Sequence, residues 1–575
     1  MSRADWRTVK DRALTRGRLH RDALAVAAGL QHIHGLDPNV TQSLPATATC
    51  AAPTVAPVVL IQLPNSLQFA TVVLGTLAAG LTATLASPSL TSGEIAWILR
   101  NARPQVIVTE KACLPAMQEA LASQEDKAFF AKTPVYTVDV AGDLYPAADG
   151  KQSGNDWKAL LGSADKSVTK PANPDPKNRM AIILWSSGTS GRSKGVLLSH
   201  QAINFSIASL WHDADFFLGQ RQRWLAFVPF FHVFGMLNLF MLAIPTGSTT
   251  YIMTAFKPDV FLNGVKRRAI TYLHMAPPVA VILAKSPLVD GLAKRDAQGR
   301  NGFSSVVGGV TGGAPLGHDV VRQIWQRLGF RVRLGYGLTE ATSVTLQHGL
   351  KEGEMEAQGG GTGRPHWGVE LMIAGDSSDG EKAVAAKSGD AGEVLIKSPG
   401  LLSAYLPTSG HGASSDMSIT TEALTKDGWF RTGDVGIIRP DGSLAITDRI
   451  KELIKVQAYQ VAPAELEAVL CSSAEVADAG VVGIFDSGAA TEWPRAFVVP
   501  AGGEKSEDEL RALGDRLRVL VEERTAKYKW LKGGVVFVPQ IPKSPSGKIL
   551  RRIMKQGVSG GFEVNVYANK LKAKL

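Results

Sequence analysis

Apolar residues flank a loop of hydroxyls, glycines and cations in the stretch Ile182-Ile-Leu-Trp-Ser-Ser-Gly-Thr-Ser-Gly-Arg-Ser-Lys-Gly-Val-Leu-Leu198. Glycines let backbone amides approach an anion closely, hydroxyls donate hydrogen bonds to it, and basic side chains neutralise its charge. The loop residues of these kinds are Ser186, Ser187, Gly188, Thr189, Ser190, Gly191, Arg192 and Lys194. Since the apolar flanks are typical of core strands, the stretch predicts a phosphate-binding loop between two buried strands.

The spacing of this loop differs from a Walker A motif, in which four residues separate the first glycine from Gly-Lys-Ser/Thr. Lys194 instead lies three residues after Gly191 and is followed by Gly195. Taken alone, the loop also fits a flexible Ser/Gly surface turn. Further motifs are needed to decide between a phosphate site and a turn.

The composition is that of a globular chain of 575 residues, 45% hydrophobic and 20% charged, with room for a large core and a further domain. Cys50, Cys113 and Cys471 are too scattered for a disulfide framework or a CxxC metal site. The net charge of +10 is typical of a nucleic-acid-binding protein. However, the sequence has no basic stripe with interleaved aromatic residues. An anionic small substrate explains the charge as well, and we expect no nucleic-acid partner.

Residues 38–93 carry no charge, and the part from residue 66 to residue 90 is long enough to span a membrane. Pro64 and Pro88 bracket that part, however, and glycines interrupt it. Residues 58–62 are typical of a buried strand that leads into a helix. We therefore expect an α/β core segment and no transmembrane segment.

Short β-branched runs alternate with amphipathic stretches through most of the chain, which predicts a doubly wound α/β body. The predicted strands of this body are residues 106–108, 181–184, 224–228, 306–307 and 331–334. Beyond about residue 448 the pattern changes to compact α+β segments. These are helices at 462–470 and 507–524 and a strand at 481–484. A second domain is expected to begin there.

Five further segments follow the loop in a specific order, although each alone is a weak signal. They are Pro229-Phe-Phe-His-Val-Phe-Gly235, Thr311-Gly-Gly-Ala-Pro-Leu316, Gly335-Tyr-Gly-Leu-Thr-Glu340, Trp429-Phe-Arg-Thr-Gly-Asp434 with Asp448-Arg449, and Pro542-Lys-Ser-Pro-Ser-Gly-Lys-Ile-Leu-Arg-Arg552. Together with the loop, this set resembles the adenylate-forming (AMP-binding) superfamily, in its acyl-CoA synthetase and 4-coumarate-CoA ligase-like branch.

The resemblance implies a large multi-sheet N-terminal α/β body over residues 1–447 and a smaller mobile α+β C-terminal domain over residues 448–575. Enzymes of this kind join a carboxylate to the α-phosphate of ATP, release pyrophosphate, and let the thiol of coenzyme A displace AMP. Both reactants of the first step are anions, so the site must neutralise charge and hold them in line. The implied cofactors are ATP, Mg²⁺ and coenzyme A.

The resemblance also assigns roles to individual residues. Lys548 would bridge the carboxylate and the α-phosphate, and His232 would lie beside the carboxylate. Lys455 and Gln460 would contact the adenylate during thioester formation, after rotation of the small domain about Lys451.

The nucleotide would be held by residues from the loop and four of the motifs. They are Ser186, Ser187, Gly188, Thr189, Ser190, Gly191, Lys194, Gly312, Gly313, Ala314, Gly335, Tyr336, Gly337, Thr339, Asp434 and Arg449. Tyr336 would stack on adenine, and Asp434 would accept hydrogen bonds from the ribose. Glu340 and Thr189 would hold Mg²⁺.

The acyl pocket is expected at positions beside these motifs. The candidates are Phe234, Asn238, Gly312, Leu334 and Val344. They predict a medium-size apolar carboxylic acid and leave open the choice between aromatic and medium-chain acids.

One departure leaves the acceptor open, because Gln457-Ala458 stands where Lys-Gly is usual in such CoA ligases. An acyl-CoA ligase is the leading hypothesis, and a luciferase-like oxidase or a ligase that loads a separate carrier protein is the alternative. A catalytically silent nucleotide-binding protein is disfavoured by the presence of Lys548, Glu340, Asp434 and His232. The last residues, Ala573-Lys-Leu575, fit a peroxisomal address, which predicts recognition by the peroxisomal import receptor.

Overall fold

The computed structural model describes residues 13–141, 155–186, 192–213, 221–314, 316–350, 354, 361–375, 383–387, 389–407, 416–449, 452–456, 459–486, 491–503, 505–544, 547–558 and 560–564. Of the residues with predicted roles, Ser187 to Gly191, Lys451, Gln457, Ala458 and the terminal tripeptide lie outside these ranges.

The strands of the N-terminal body are β1 (Gln42–Ser43), β2 (Thr54–Val55), β3 (Val58–Gln62), β4 (Thr82–Leu85), β5 (Val106–Glu110), β6 (Val135–Val138), β7 (Met180–Ser186), β8 (Lys194–Ser199), β9 (Arg223–Ala226), β10 (Thr249–Ile252), β11 (Tyr272–Met275), β12 (Gly308–Thr311), β13 (Val332–Leu338), β14 (Thr342–Leu346), β15 (Arg364–Pro365), β16 (Glu370–Ile373), β17 (Gly392–Lys397), β18 (Ala404–Tyr405), β19 (Phe430–Ile438) and β20 (Leu444–Arg449). The strands that follow are β21 (Ile454–Val456), β22 (Tyr459–Val461), β23 (Val476–Asp486), β24 (Thr491–Pro500), β25 (Val535–Phe537) and β26 (Phe562–Val564).

The helices are α1 (Arg16–His32), α2 (Leu67–Ala78), α3 (Ser92–Ala102), α4 (Leu114–Ala122), α5 (Lys127–Phe130), α6 (His200–His212), α7 (Val233–Gly235), α8 (Ala243–Thr246), α9 (Pro258–Arg267), α10 (Pro277–Lys285), α11 (Asp290–Ala293), α12 (His318–Leu328), α13 (Ser418–Ala423), α14 (Pro463–Cys471), α15 (Glu507–Arg524) and α16 (Arg551–Gln556). A π-helical segment, Met236–Met241, joins α7 to the turn that leads into α8.

Within the described residues, two seven-stranded sheets form the body, in the orders β18-β8-β7-β4-β3-β5-β6 and β10-β9-β11-β12-β13-β14-β15. The inner strands of both sheets are parallel, and β8, β14 and β15 pair antiparallel at the edges. Parallel strands are buried on both faces, which explains their continuous apolar runs. A four-stranded antiparallel sheet, β16-β17-β19-β20, completes this part. The predicted α/β fold class is confirmed.

The uncharged segment folds as predicted. All five residues of β3 are buried, and α2 begins after Ser66, whose hydroxyl accepts a hydrogen bond from the Phe69 amide at 3.0 Å. Among the described residues, no helix is both long and apolar enough to cross a membrane.

The strand predicted at residues 306–307 is wrong, because the strand in this region is β12. Val307 is 39% exposed, and pairing with β11 begins at Gly308, opposite Tyr272. A Cβ at Gly309 would come within 2.9 Å of the Leu273 carbonyl oxygen. The strand therefore begins with glycines, since the neighbouring backbone lies too close for larger residues.

A separate hydrophobic cluster begins at Ile454 and ends at Val564, whereas the cluster of the N-terminal body ends at Leu444. Its frame is a four-stranded sheet, β23-β24-β25-β26, that packs against α14 and α15. The boundary at residue 448 stays a prediction, and the two clusters lie on either side of it. The Lys285 ammonium, in the N-terminal body, donates a hydrogen bond at 2.7 Å to the Cys471 carbonyl oxygen in the small domain.

Helix α1 supplies a matched pair of glycines that tests how closely the body is packed. A Cβ at Gly29 would overlap the carbonyl oxygen of Leu160, whereas a Cβ at Gly17 would meet nothing within 4 Å. We expect Gly29→Ala to lower the free energy of unfolding by about 1–3 kcal/mol, because backbone has to move. Gly17→Ala is the control and is expected to be neutral or slightly stabilising. Urea unfolding of both variants measures the difference, and equal stabilities would contradict it.

Candidate active site

A cavity of about 1680 Å³ lies between the N-terminal body and the small domain. Part of its lining consists of residues that end or directly follow strands β4, β7 and β12, such as Ala86, Ser186 and Gly312. Ligands of open α/β sheets bind at this edge, because loops at the carboxyl ends of parallel strands converge there. The small domain contributes Ser544 and Lys548 to the same lining.

Strands β7 and β8 hold the two ends of the predicted phosphate loop. Ser186 pairs with Lys194 in the antiparallel ladder, and both residues line the cavity. The Lys194 ammonium lies 4.9 Å from the centre of the Tyr405 ring, and the Arg192 guanidinium lies 4.8 Å from the Trp97 ring. The loop therefore brings two cations to the cavity, as an anion site requires.

Glu340 lies on the same wall and is fixed by a residue that the sequence analysis missed. The Tyr405 hydroxyl donates a hydrogen bond to Oε1 of Glu340 at 2.9 Å. Burial of the phenol, together with the adjacent Glu340 charge, raises the pKa of Tyr405 far above its usual value. Tyr405 therefore stays a donor, and Glu340 faces the cavity as an oriented carboxylate.

Tyr336 lines the cavity, and Asp434 lies behind it. The Tyr336 hydroxyl donates a hydrogen bond to Oδ2 of Asp434 at 2.5 Å, and Asp434 is only 2% exposed. Asp434 is on β19, opposite Arg449 on β20. The fold thus connects Asp434 to the cavity through an aromatic ring.

Other predicted nucleotide-binding residues also reach the cavity. Its lining includes Gly312, Gly313, Gly335, Gly337 and Thr339. Ala314 is described but is not among the lining residues.

His232 and Lys548 come from different domains and line one cavity. Nδ1 of His232 accepts a hydrogen bond from the Phe234 amide at 3.3 Å, which leaves the other ring nitrogen as the donor. Burial and the positive charge of Lys548 lower the pKa of His232 to about 4. A neutral imidazole beside an ammonium group is suited to orient and neutralise a carboxylate.

The turn that contains Lys548 packs closely against the N-terminal body. Gly547 has a φ of +85°, and a Cβ there would lie 3.0 Å from Pro278, at the start of α10. The Ser544 hydroxyl accepts a hydrogen bond from the Lys548 amide at 3.1 Å and closes the turn. Only glycine combines this backbone conformation with so close an approach.

The backbone brings Lys455 and Gln460 together. They are opposite residues of the β21–β22 hairpin, and Lys455 is exposed. Lys455 is not among the residues that line the cavity.

The acyl-pocket candidates divide into two groups. Phe234, Asn238 and Gly312 line the cavity, whereas Leu334 and Val344 do not. Side chains alternate along a strand, so Ser343 and Thr345 face the cavity while Val344 is fully buried on the other side. The position of Val344 beside a motif did not reveal which face it occupies.

We expect the pH profile of adenylate formation to show no protonation step of His232 between pH 5 and pH 8. The reason is that its pKa of about 4 keeps it neutral over this range. His232→Asn retains a side-chain acceptor for the Phe234 amide and serves as the comparison. Pyrophosphate release from pH 5 to pH 8 would be measured for both proteins. An inflection near pH 6.5 that is present in the wild type and absent from His232→Asn would contradict the expectation.

Comparison with known proteins places this geometry in a family. The model of the AMP-binding enzyme family matches residues 3–406, and that of its C-terminal domain matches residues 465–548. The chain is 31% identical to 4-coumarate–CoA ligase 5 of Oryza sativa subsp. japonica, over 92% of this chain and 89% of the relative. It is 30% identical to 4-coumarate–CoA ligase 2 of Nicotiana tabacum, over 93% and 88% of the two chains.

The fold is also similar to solved structures. An anthranilate CoA ligase in complex with anthranoyl-AMP superposes with a TM-score of 0.74 at 21% identity, over 98% of this chain and 94% of that one. The two family models thus cover most of this chain, which also has the ordered motifs and a cavity between its two parts. The chain belongs to the AMP-binding enzymes and, within them, to the AMP-forming acid–CoA ligases of the acyl-CoA synthetase and 4-coumarate–CoA ligase type.

Proposed function

We propose that this protein activates a medium-size apolar carboxylic acid, aromatic or medium-chain, with ATP and transfers the acyl group to coenzyme A. The observation that carries the proposal is the arrangement of Lys548, His232 and Glu340 in one cavity. The Oryza and Nicotiana relatives are both named 4-coumarate–CoA ligases, which supports the same class of acid and acceptor.

The first half-reaction joins two anions, so its barrier is largely electrostatic. One carboxylate oxygen attacks the α-phosphorus of ATP, the bond from phosphorus to the bridging oxygen breaks, and pyrophosphate leaves. Lys548 neutralises the developing charge between carboxylate and phosphate. The ring nitrogen of neutral His232 that does not contact Phe234 donates to the carboxylate and orients its attacking oxygen.

Mg²⁺ is proposed as the companion of ATP. A magnesium ion that accompanies a nucleotide is held by one or two carboxylates and by phosphate oxygens, with water completing the shell. Glu340 fits such a site, because its carboxylate faces the cavity and is held by Tyr405. The bound ion would supply positive charge to the phosphates, and Thr189 is the second candidate ligand.

The second half-reaction needs a different arrangement of the small domain. The thiol sulfur of coenzyme A attacks the acyl carbon, the bond to the phosphate oxygen breaks, and AMP leaves. Lys548 occupies the cavity in the arrangement described above, whereas Lys455 is exposed. We therefore propose that rotation about Lys451 withdraws Lys548 and brings Lys455 and Gln460 to the adenylate.

A carrier thiol is the second candidate acceptor, because Gln457-Ala458 replaces the usual Lys-Gly. A luciferase-like oxidation of the adenylate is the remaining alternative. The terminal Ala573-Lys-Leu575 supports a peroxisomal location and recognition by the import receptor.

AMP and pyrophosphate release, measured with aromatic and C4 to C18 carboxylic acids with and without coenzyme A, tests the proposal. AMP release that depends on coenzyme A, together with one acyl-CoA identified by mass spectrometry, is the expected result. Pyrophosphate release without a thioester would reject coenzyme A as acceptor. Absence of both products for every acid would reject the function.

A further inference from the structure

The cavity continues beyond the edge of the sheet and extends back along β11. Its lining includes His274 and, deeper, Tyr272, the first residue of the strand. At about 3.3 Å per residue, Tyr272 lies about 10 Å behind Met275, where the strand ends. This recess is the space for the part of an acyl group that is remote from its carboxylate.

The wall of the recess carries polar atoms that lack partners. His274 is 2% exposed, and its Nδ1 has no hydrogen-bond partner among the described residues. The Oγ1 atom of Thr311, on the next strand, has none there either. Buried polar atoms are almost always paired in native proteins, because an unmade hydrogen bond is costly. Two such atoms on the wall of the cavity are available to a ligand that supplies the missing partner.

Aromatic rings fix the position of His274. Its ring centre lies 5.0 Å from that of Trp224 and 5.2 Å from that of Tyr272. The Tyr272 hydroxyl in turn accepts hydrogen bonds from Nε and Nη2 of the fully buried Arg333, at 3.1 and 2.8 Å. The imidazole is thus held rigidly, as a recognition group has to be.

The charges around the recess limit which chemical group can be the missing hydrogen-bond partner. Burial and the positive charge of Arg333 lower the pKa of His274 to about 3, so the imidazole is neutral. A neutral imidazole has one N–H donor and one nitrogen acceptor. A hydroxyl group can satisfy either nitrogen, whereas an ammonium group would be repelled by Arg333.

We propose that His274 is a specificity-determining residue that hydrogen-bonds a hydroxyl group at the end of the acid remote from its carboxylate. The acid is then an otherwise apolar carboxylic acid that carries a hydroxyl group, and not a pure hydrocarbon acid. This inference rests on the proposed function, because it requires that the cavity accept an acyl group.

Matched pairs of acids test the inference. Octanoate and 8-hydroxyoctanoate form one pair, and 3-phenylpropanoate and 3-(4-hydroxyphenyl)propanoate form the other. Pyrophosphate release gives kcat/KM for each. In the pair that the wild type uses better, we expect the hydroxylated acid to be favoured about tenfold or more, because a site built for a hydrogen bond rejects the analogue that lacks it.

Two variants assign the preference to the side chain. His274→Leu is expected to bring the ratio of kcat/KM values close to one, mainly through a higher KM for the hydroxylated acid. His274→Asn keeps a donor and an acceptor and is expected to retain most of the preference. Thermal unfolding shows whether each variant is folded. If His274→Leu is not folded, the inference is judged from the ratios of kcat/KM values of the wild type and of His274→Asn.

Three results would overturn the inference while leaving the ligase function intact. The first is that the wild type uses the hydrocarbon acids as well as or better than the hydroxylated acids. The second is an unchanged ratio of kcat/KM values in a folded His274→Leu. The third is a preference for octanedioate over 8-hydroxyoctanoate, which would indicate an anionic end group. Absence of pyrophosphate release with every acid would instead remove the proposed function itself.

Discussion

Replacing Lys548 with alanine is expected to lower the rate of adenylate formation by about a hundredfold or more. The ammonium group is the cation that the small domain brings to the cavity beside His232. Removing a preorganised group that neutralises charge in a transition state has effects of this size. Pyrophosphate release under saturating ATP and acid measures the loss.

The same variant separates the two half-reactions. Thioester formation from supplied acyl-adenylate is expected to change much less, because Lys548 is expected to leave the site before the thiol enters. Equal losses in both steps would contradict a two-arrangement mechanism.

A second measurement on Lys548→Ala does not depend on turnover. The charge of Lys548 lowers the pKa of His232, so that pKa should rise in Lys548→Ala, as followed by NMR titration.

Replacing Asp434 with alanine is expected to raise the KM for ATP by about tenfold to a hundredfold. Asp434 is a buried carboxylate that accepts a hydrogen bond from Tyr336, and it is the group proposed to hold the ribose. Hydrogen bonds to charged groups contribute about 1.5–3 kcal/mol each, which corresponds to this range. Initial rates against ATP concentration at saturating acid measure the change.

Tyr336→Phe is the matched control for Asp434→Ala. It removes only the hydroxyl that contacts Asp434 and keeps the ring that lines the cavity. A smaller rise in KM is therefore expected for Tyr336→Phe. If the two variants raise KM equally, Asp434 acts only by positioning Tyr336, and a direct contact with the ribose is ruled out.

The sequence was sufficient to predict the fold class, and many of the residues that it predicts to bind nucleotide line one cavity. The reason is that those residues lie in contiguous motifs whose spacing carries the chemistry, as in Gly335 to Glu340. Helix α15 was also predicted at its observed bounds, and in the structure Ser506 and Glu509 form a capping box at its start.

Residues that reach the cavity through tertiary structure could not be predicted in this way. Tyr405 contacts Glu340 because a two-residue strand, β18, pairs with β8. No local sequence pattern predicts that pairing. His274 lies in an ordinary buried strand, where a histidine is usually a satisfied core residue. Its significance depends on the cavity and on a nitrogen that has no hydrogen-bond partner within the described part of the chain, which only the structure reveals.

The contact between Lys285 and Cys471 has a bearing on how the enzyme completes its cycle. The ammonium group meets a neutral backbone carbonyl and not a carboxylate. In the proposed rotation of the small domain, water would solvate both groups, so that no uncompensated ion would be left in an apolar environment. Breaking this contact would therefore cost less free energy than breaking a buried ion pair, which suits a contact that the proposed cycle breaks and re-forms.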